Sequence, residues 1–173
     1  MIGNVYDMSR LQDELRQNKP FPSAAHEGGV GLMRTADVLR RRGAAVVEPR
    51  GITLQQYNVL RILRGAGEEG LPTLEVADRM IEQTPGITRL LDRLEAKQLV
   101  RRQRCPKDRR QHLCWITAAG QTLLDELEQP MNEFAEAAFK TLEETDRIAL
   151  IRLLDAIRAG LEQPREQSGK NGG

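Results

Sequence analysis

Apolar positions recur every three to four residues over most of this chain, and only two short stretches near its middle read as extended. Met8, Leu11 and Leu15 predict a short amphipathic helix, ended by Pro20 and Pro22. A helix this short needs a surface to lie on; its own domain and a partner subunit are the two candidates. Ser23 can cap a second helix running to about Arg42, with Val30, Met33 and Leu39 on its apolar side. Gly28, Gly29 and Gly31 weaken it, each by about 1 kcal/mol against alanine, so close approach of another helix is expected to compensate. Gly43 to Gly51 then reads as a loop.

Thr53 with Gln56 has the form of a capping box. It opens a helix from Leu54 to about Arg64 whose Leu54, Tyr57, Val59, Leu60, Ile62 and Leu63 leave little polar surface. Thr73 is read as the cap of a short helix with Leu74, Ala77 and Met80 inward. Thr84 is a plausible N-cap for the next helix, with Pro85 at its first position, where no N–H partner is needed. Ile87, Leu90, Leu91 and Leu94 then mark one inward face, and Thr88, Arg89 and Arg93 fall outside it. Two short helices in succession, the second polar outward, make a helix-turn-helix pattern. Leu99 and Val100 begin one extended run and His112 to Thr117 form another, joined by a turn through Pro106, Lys107, Asp108, Arg109 and Arg110. Thr117 is read as the cap of a long helix carrying Leu123, Leu124, Leu127, Met131, Phe134, Ala138 and Leu142. Pro130 predicts a kink or a break there. Thr145 opens a last helix with the stripe Ile148, Ile151, Leu154, Ile157 and Leu161.

The fold class predicted is mainly α with a small β wing: a winged helix-turn-helix lobe plus a helical dimerisation region. Residues 1–22 form an N-terminal extension and 23–52 a first dimerisation helix and loop. The DNA-binding lobe takes 53–117, C-terminal dimerisation helices take 118–163, and 164–173 form a tail whose Gly, Ser, Gln and charge content predicts disorder. The terminal helices carry more apolar stripe than a small lobe needs. That surplus predicts a helical dimer interface, with a self-contained bundle as the alternative.

Charge sharpens this picture. The net charge is +1, but Thr84 to Thr117 holds nine Lys or Arg against three Asp or Glu, whereas Ala118 to Gln163 holds ten acidic residues against four basic. One surface therefore suits a polyanion and another faces elsewhere. No apolar run follows a basic start, and none nears the ~20 residues of a membrane helix, so a cytoplasmic protein without membrane attachment is expected. Enzyme readings find no footing: there is no phosphate loop after a strand, no nucleophile elbow and no helical histidine pair. No cofactor is expected. Cys105 and Cys114 are too few for a disulfide scaffold or a zinc site, and His26 and His112 are far apart in sequence. If the hairpin turn centres between Arg109 and Arg110, Cys105 lies opposite Cys114 and a redox switch becomes conceivable; a shift of one residue removes the pairing.

The order of helices, the TRLLDRLE of the outward-facing helix, the DRR of the turn and the ITAAG that begins the long helix together resemble the MarR family of bacterial transcriptional regulators, over about Ala24 to Leu161. The resemblance implies a homodimer, triangular in outline, with interlocking first and last helices. It also implies binding of a pseudo-palindromic double-stranded DNA operator, usually as a repressor released by a small, often aromatic, molecule. Gln98 stands where the family commonly has glycine, and the segment before Ser23 is longer than usual.

On this reading Thr84, Thr88 and Arg89 are placed to reach base edges in the major groove, Arg89 as a bidentate partner of guanine. Arg93 and Lys97 would hold phosphate, as would the start of the helix at Thr84, Pro85 and Gly86. Arg109 matches the family position that enters the minor groove. Arg101, Arg102, Lys107 and Arg110 complete the candidate contacts. An effector pocket is expected between the DNA-binding lobe and the dimerisation helices; His26, Met33, Tyr57 and Trp115 could line it, but each reads as ordinary core or surface and none is assigned to a ligand. The rival from another class is a winged-helix protein-interaction module that binds no DNA.

Overall fold

The computed structural model describes residues 10–82, 86–105 and 111–162. Two compact units divide the chain, 1–132 and 133–173. The first begins with α1 (Arg10–Glu14). A methyl group at Gly31 would meet Leu11 Cδ2 at 3.4 Å, so α1 lies on the second helix of its own chain. That helix, α2 (Ala24–Val47), starts where predicted: Ser23 Oγ accepts the His26 N–H at 3.2 Å. It does not stop near Arg42. It runs on to Val47 and passes into a single 3-10 turn, Glu48–Arg50, ended by Gly51 at φ 73°. Gly43 and Val47 are buried, and packing against the core overrides the loop-like composition of this stretch. Of the three early glycines only Gly31 meets a close neighbour; Gly28 and Gly29 face open space.

The capping box is formed. Thr53 Oγ1 accepts the Gln56 N–H at 3.2 Å, and Gln56 Oε1 accepts the Thr53 N–H at 3.0 Å. It opens α3 (Leu54–Ala66), whose Val59, Leu60 and Leu63 lie at the centre of the core. After α3 come β1 (Leu71–Pro72) and α4 (Thr73–Asp78). Thr73 is not a cap. It is the first helical residue, and its hydroxyl turns to the neighbouring strand, where it donates to the His112 carbonyl at 3.3 Å. Of the residues expected inward, Met80 is buried and Ala77 packs against the core, but Leu74 is 74% exposed and the fully buried Val76 takes its place.

Next come α5 (Ile87–Ala96), β2 (Val100–Arg104), β3 (His112–Ile116) and α6 (Ala118–Phe139). The three strands form one antiparallel sheet in the order β1-β3-β2. Ile87, Leu90, Leu91 and Leu94 of α5 are all buried against the same core as α3 and Val100.

The joint between α5 and β2 fixes how helix and hairpin sit together. Gln98 adopts a left-handed conformation, φ 59°. Its N–H donates to the Glu95 carbonyl at 2.8 Å, and the Leu99 N–H donates to the Leu94 carbonyl at 3.0 Å. This is the Schellman arrangement that glycine usually terminates; here glutamine occupies the left-handed position at some conformational cost. Thr117 holds the turn from the far side. Its hydroxyl donates to the Gln98 carbonyl at 2.7 Å and accepts the Gly120 N–H at 3.1 Å. A Cβ at Gly120 would come within 2.4 Å of the Leu99 carbonyl oxygen. The TAAG of the sequence is thus one device: Thr117 caps α6 and ties down the turn, and Gly120 lets the helix approach it.

The second unit comprises the end of α6 and α7 (Glu144–Leu161). Pro130 does not break α6, which is helical on both sides of it. Nor does Thr145 open α7; the helix begins one residue earlier, after Glu143. Arg147 joins the two helices, donating to the Phe139 and Leu142 carbonyls and pairing with Glu136 at 3.1 Å. No residue of α7 is buried, and Ile148, Ile151, Ile157 and Leu161 are 47–75% exposed. The segments predicted as part of the extension, 1–9, and as the tail, 164–173, lie outside the described residues, Met8 among them.

Candidate nucleic-acid interface

The outer face of α5 carries Thr88, Arg89, Asp92 and Arg93, all exposed. The helix starts at Ile87, later than predicted, with Gly86 before it at φ 110°. That backbone conformation favours glycine. No side chain caps the helix there. Thr84 and Pro85, the predicted cap and first turn, lie outside the described residues. So do Lys107, Arg109 and Arg110 of the hairpin turn.

Among the described basic residues the structure separates those that are free from those that are engaged. Arg89 and Arg93 are exposed on α5. Lys97 is exposed as well, but its ammonium donates to the Gly51 carbonyl. Successive side chains of β2 point to opposite faces of the sheet, and this divides two arginines that the sequence reading grouped. Arg101 turns away from α5, and its guanidinium carbon lies 4.1 Å from the centroid of the Trp115 ring. Arg102 turns toward α5. Its Nε donates to Glu95 at 2.9 Å, its backbone N–H to the other Glu95 oxygen at 3.2 Å, and its terminal nitrogen to Asp92 at 2.6 Å. The Glu95 carboxylate, with Asp92 behind it, holds the guanidinium pKa above its usual value against the opposing effect of burial. Arg102 is therefore not a free cation: its charge is engaged by two carboxylates of α5. Arg104, opposite His112, was not among the predicted contacts. Both are exposed; strand alternation beyond Arg102 was the signal that pointed to them.

The register also corrects the cysteine pairing. Cys114 lies opposite Arg102, while the Cys105 N–H donates to the Gln111 carbonyl at 2.9 Å. Three residues of strand, about 10 Å, separate Cys105 from the position facing Cys114, beyond disulfide reach. Both thiols are free, Cys114 is fully buried, and burial pushes its pKa up against a hydrogen bond with Thr73.

The four candidate pocket residues are not brought together. His26 and Met33 are exposed on α2, Tyr57 is in the core, and Trp115 donates its Nε1–H to the Glu68 carbonyl at 2.9 Å. A cavity of about 460 Å³ lies elsewhere in the first unit, between the end of α2 (Arg40, Arg41, Ala44), the start of α3 (Leu54, Gln55, Asn58) and Met80 to Glu82. Asn58 Oδ1 accepts the Ile81 N–H at 3.0 Å, and Arg40 pairs with both Asp37 and Glu82. The segment entering the α5 turn is thus attached directly to the walls of this cavity. Among the described residues there is no cluster of metal-ligating side chains and no helix long and apolar enough to cross a membrane.

A two-helix unit with an outward polar helix, an antiparallel hairpin behind it and basic residues on both is a winged helix-turn-helix. Residues 52–112 match the model of the MarR family. A MarR transcription factor from Planctomyces limnophilus is 37% identical and superposes with a TM-score of 0.62, over 79% of this chain and 99% of that one. The HTH-type transcriptional regulator FarR of Neisseria gonorrhoeae is 26% identical over 125 residues, 72% of this chain and 84% of FarR. Bordetella bronchiseptica BpsR, whose DNA binding is regulated by 6-hydroxynicotinic acid, is 25% identical with a TM-score of 0.64, over 76% of this chain and 98% of BpsR. The chain belongs to the MarR family and is a DNA-binding transcriptional regulator, not an enzyme.

Proposed function

We propose that this regulator is a homodimeric repressor that binds a pseudo-palindromic operator and leaves it when a small molecule binds. The observation that carries the dimer is α7, whose apolar stripe at helical spacing is exposed at Ile148, Ile151, Ile157 and Leu161. An exposed apolar stripe of this length marks an interaction surface, and two-fold symmetry matches a palindromic site. In this reading α5 enters the major groove. Thr88 and Arg89 face base edges, Arg93 holds phosphate, and the chain around Gly86, with Thr84 and Pro85, approaches the backbone. The turn bearing Lys107, Arg109 and Arg110 follows the adjacent minor groove, with Arg104 behind it.

The cavity at Arg40, Leu54 and Ile81 is the reading's effector site. Its lining sets Arg40 and Arg41, both paired with Asp37, and the carboxylates of Glu48 and Glu82 beside apolar Leu54, Met80 and Ile81; a small organic ligand with an apolar body could enter it, an acidic one by taking Arg40 from its carboxylate partners. BpsR supports the class of ligand, since an aromatic acid regulates its DNA binding. A ligand competing for Arg40 or shifting Ile81 would act on the segment that leads into α5, and so on the placement of the recognition helix.

The test is duplex binding against salt, using an operator selected from a random DNA pool. Affinity should fall linearly on a log–log plot as salt rises. Arg89→Ala and Arg109→Ala should each weaken binding, Arg89→Ala by about 1–3 kcal/mol with relaxed sequence preference. Unchanged affinity in both variants would sink the docking; no salt-sensitive duplex binding at all would favour a protein-interaction module.

A further inference from the structure

We infer that Arg102 is a positioning residue for DNA recognition: by clamping Asp92 and Glu95 of α5 to β2, it sets the recognition helix and the wing at one fixed spacing. The inference rests on the docking proposed above, because it concerns the two elements that would enter neighbouring grooves.

The geometry distinguishes Arg102 from every other described arginine of α5, β2 and β3. Glu95 engages it three times, through Nε, a terminal nitrogen and the backbone N–H, and Asp92 accepts from the same terminal nitrogen. The Arg102 side chain is only 18% exposed. Its partners come from the second and third turns of α5, Asp92 at the middle of the helix and Glu95 near its end. The buried row Ile87, Leu90, Leu91 and Leu94 fixes which face of α5 turns inward, and one polar anchor would still allow a small rotation of the helix against the wing. Two carboxylates three residues apart on one face, held by a single planar guanidinium, resist that rotation. The Gln98 turn connects the same two elements covalently. It limits their separation, but a turn alone does not fix the roll of the helix that decides which side chains face the bases.

A duplex without the operator sequence is bound through phosphates and tolerates small changes in helix roll. Base readout does not, because bidentate contacts need their geometry. Loss of the clamp should therefore reduce specific binding and spare non-specific binding.

Four variants test this: Arg102→Met, Arg102→Lys, Glu95→Gln and Asp92→Asn. Each is titrated against the selected operator and a scrambled duplex at several salt concentrations, with thermal unfolding measured alongside. Arg102→Met and Glu95→Gln should each lower operator affinity about tenfold, Asp92→Asn less, and the Arg102–Glu95 double variant should lose no more than one of the singles, as coupled members of one network do. Scrambled-duplex affinity should stay within about twofold, and the salt slope should be unchanged because Arg102 releases no counterion. Lysine keeps the charge but not the fork, and should not restore operator affinity.

A direct DNA contact predicts the opposite signs. Glu95→Gln would then free Arg102 and tighten binding, Arg102→Met would reduce the salt slope by about one, and Arg102→Lys would bind nearly as well as the parent protein. Any of these overturns the clamp. So does a fall in thermal stability with an unchanged ratio of operator to scrambled affinity, which marks a purely structural pair. If Arg102→Met fails to fold, Glu95→Gln and Asp92→Asn carry the same sign test. Should the parent protein show no salt-sensitive duplex binding, the docking fails and the clamp with it. Parent binding with an unchanged ratio in every variant removes the clamp alone.

Discussion

α5 and α7 carry the same pattern and meet opposite fates. Both place isoleucine or leucine at every third or fourth position. In α5 those side chains are no more than 9% exposed, whereas Ile148, Ile151, Ile157 and Leu161 of α7 are 47–75% exposed. Helical periodicity states that a face will be covered; it does not state by what. The face of α5 is covered by α3 and Val100 of its own lobe. Every buried apolar side chain among the described residues lies between Val47 and Leu127, so the core belongs to the first unit, with Val47 of α2 and Leu124 and Leu127 of α6 sharing it with α3, α5 and the sheet. The face of α7 is what the proposed second copy would cover.

Ile151→Asp combined with Ile157→Asp should halve the mass seen by sedimentation equilibrium at micromolar concentration, because two charges cannot be buried in an apolar interface at small cost. A mass that does not change, or a parent protein already monomeric, would remove the dimer reading. The contrasting change in α5 is Leu91→Ala. Leu91 is fully buried, and its truncation should cost about 2–5 kcal/mol, read as a lower urea midpoint. Ile148→Ala should cost far less when unfolding is followed through Trp115.

Smaller effects sharpen the account of the lobe. Gly120→Ala drives a methyl group toward a backbone oxygen that cannot yield, and about 1–3 kcal/mol of stability should be lost. Burial raises the Cys114 pKa above 9.0, so the thiol remains protonated in the fold after the unfolded chain has begun to ionise. Its contribution is complete below pH 9 and declines as pH rises further, by at most about 1.4 kcal/mol per pH unit. Urea midpoints measured from pH 8 to 10.5 should fall less steeply in Cys114→Ala than in the parent chain. The smallest expected change is a gain. Gln98→Gly removes the strain of a left-handed glutamine and should stabilise the lobe by about 0.5–1 kcal/mol, the difference between that strain and the added freedom of the unfolded chain.

Much of the lobe was legible in the sequence because its signals are local. The Thr53–Gln56 box, the Ser23 cap, the buried row of α5 and the two strands depend on residues within a few positions of each other. What was misread depends on partners far away in the chain. Thr73 has the chemistry of a cap, but its hydroxyl bonds to His112 across the sheet. Gly43 to Gly51 reads as a loop from Gly43, Pro49 and Gly51, but the part up to Val47 is helical, with Gly43 and Val47 packed on the core. The pairing of Cys105 with Cys114 turned on a hairpin register that no local rule determines.

The sequence by itself determined that an outward polar helix, a basic hairpin and long apolar stripes exist, since periodicity and charge are properties of the chain. Only the tertiary structure decided what each arginine does. Arg89, Arg101 and Arg102 are indistinguishable as letters. Strand alternation sends Arg101 onto Trp115 and Arg102 onto Glu95 and Asp92, and leaves Arg89 on α5 facing outward. A long, flexible cation takes its role from whichever partner the fold brings within reach, and that distance is set by packing rather than by position in the chain.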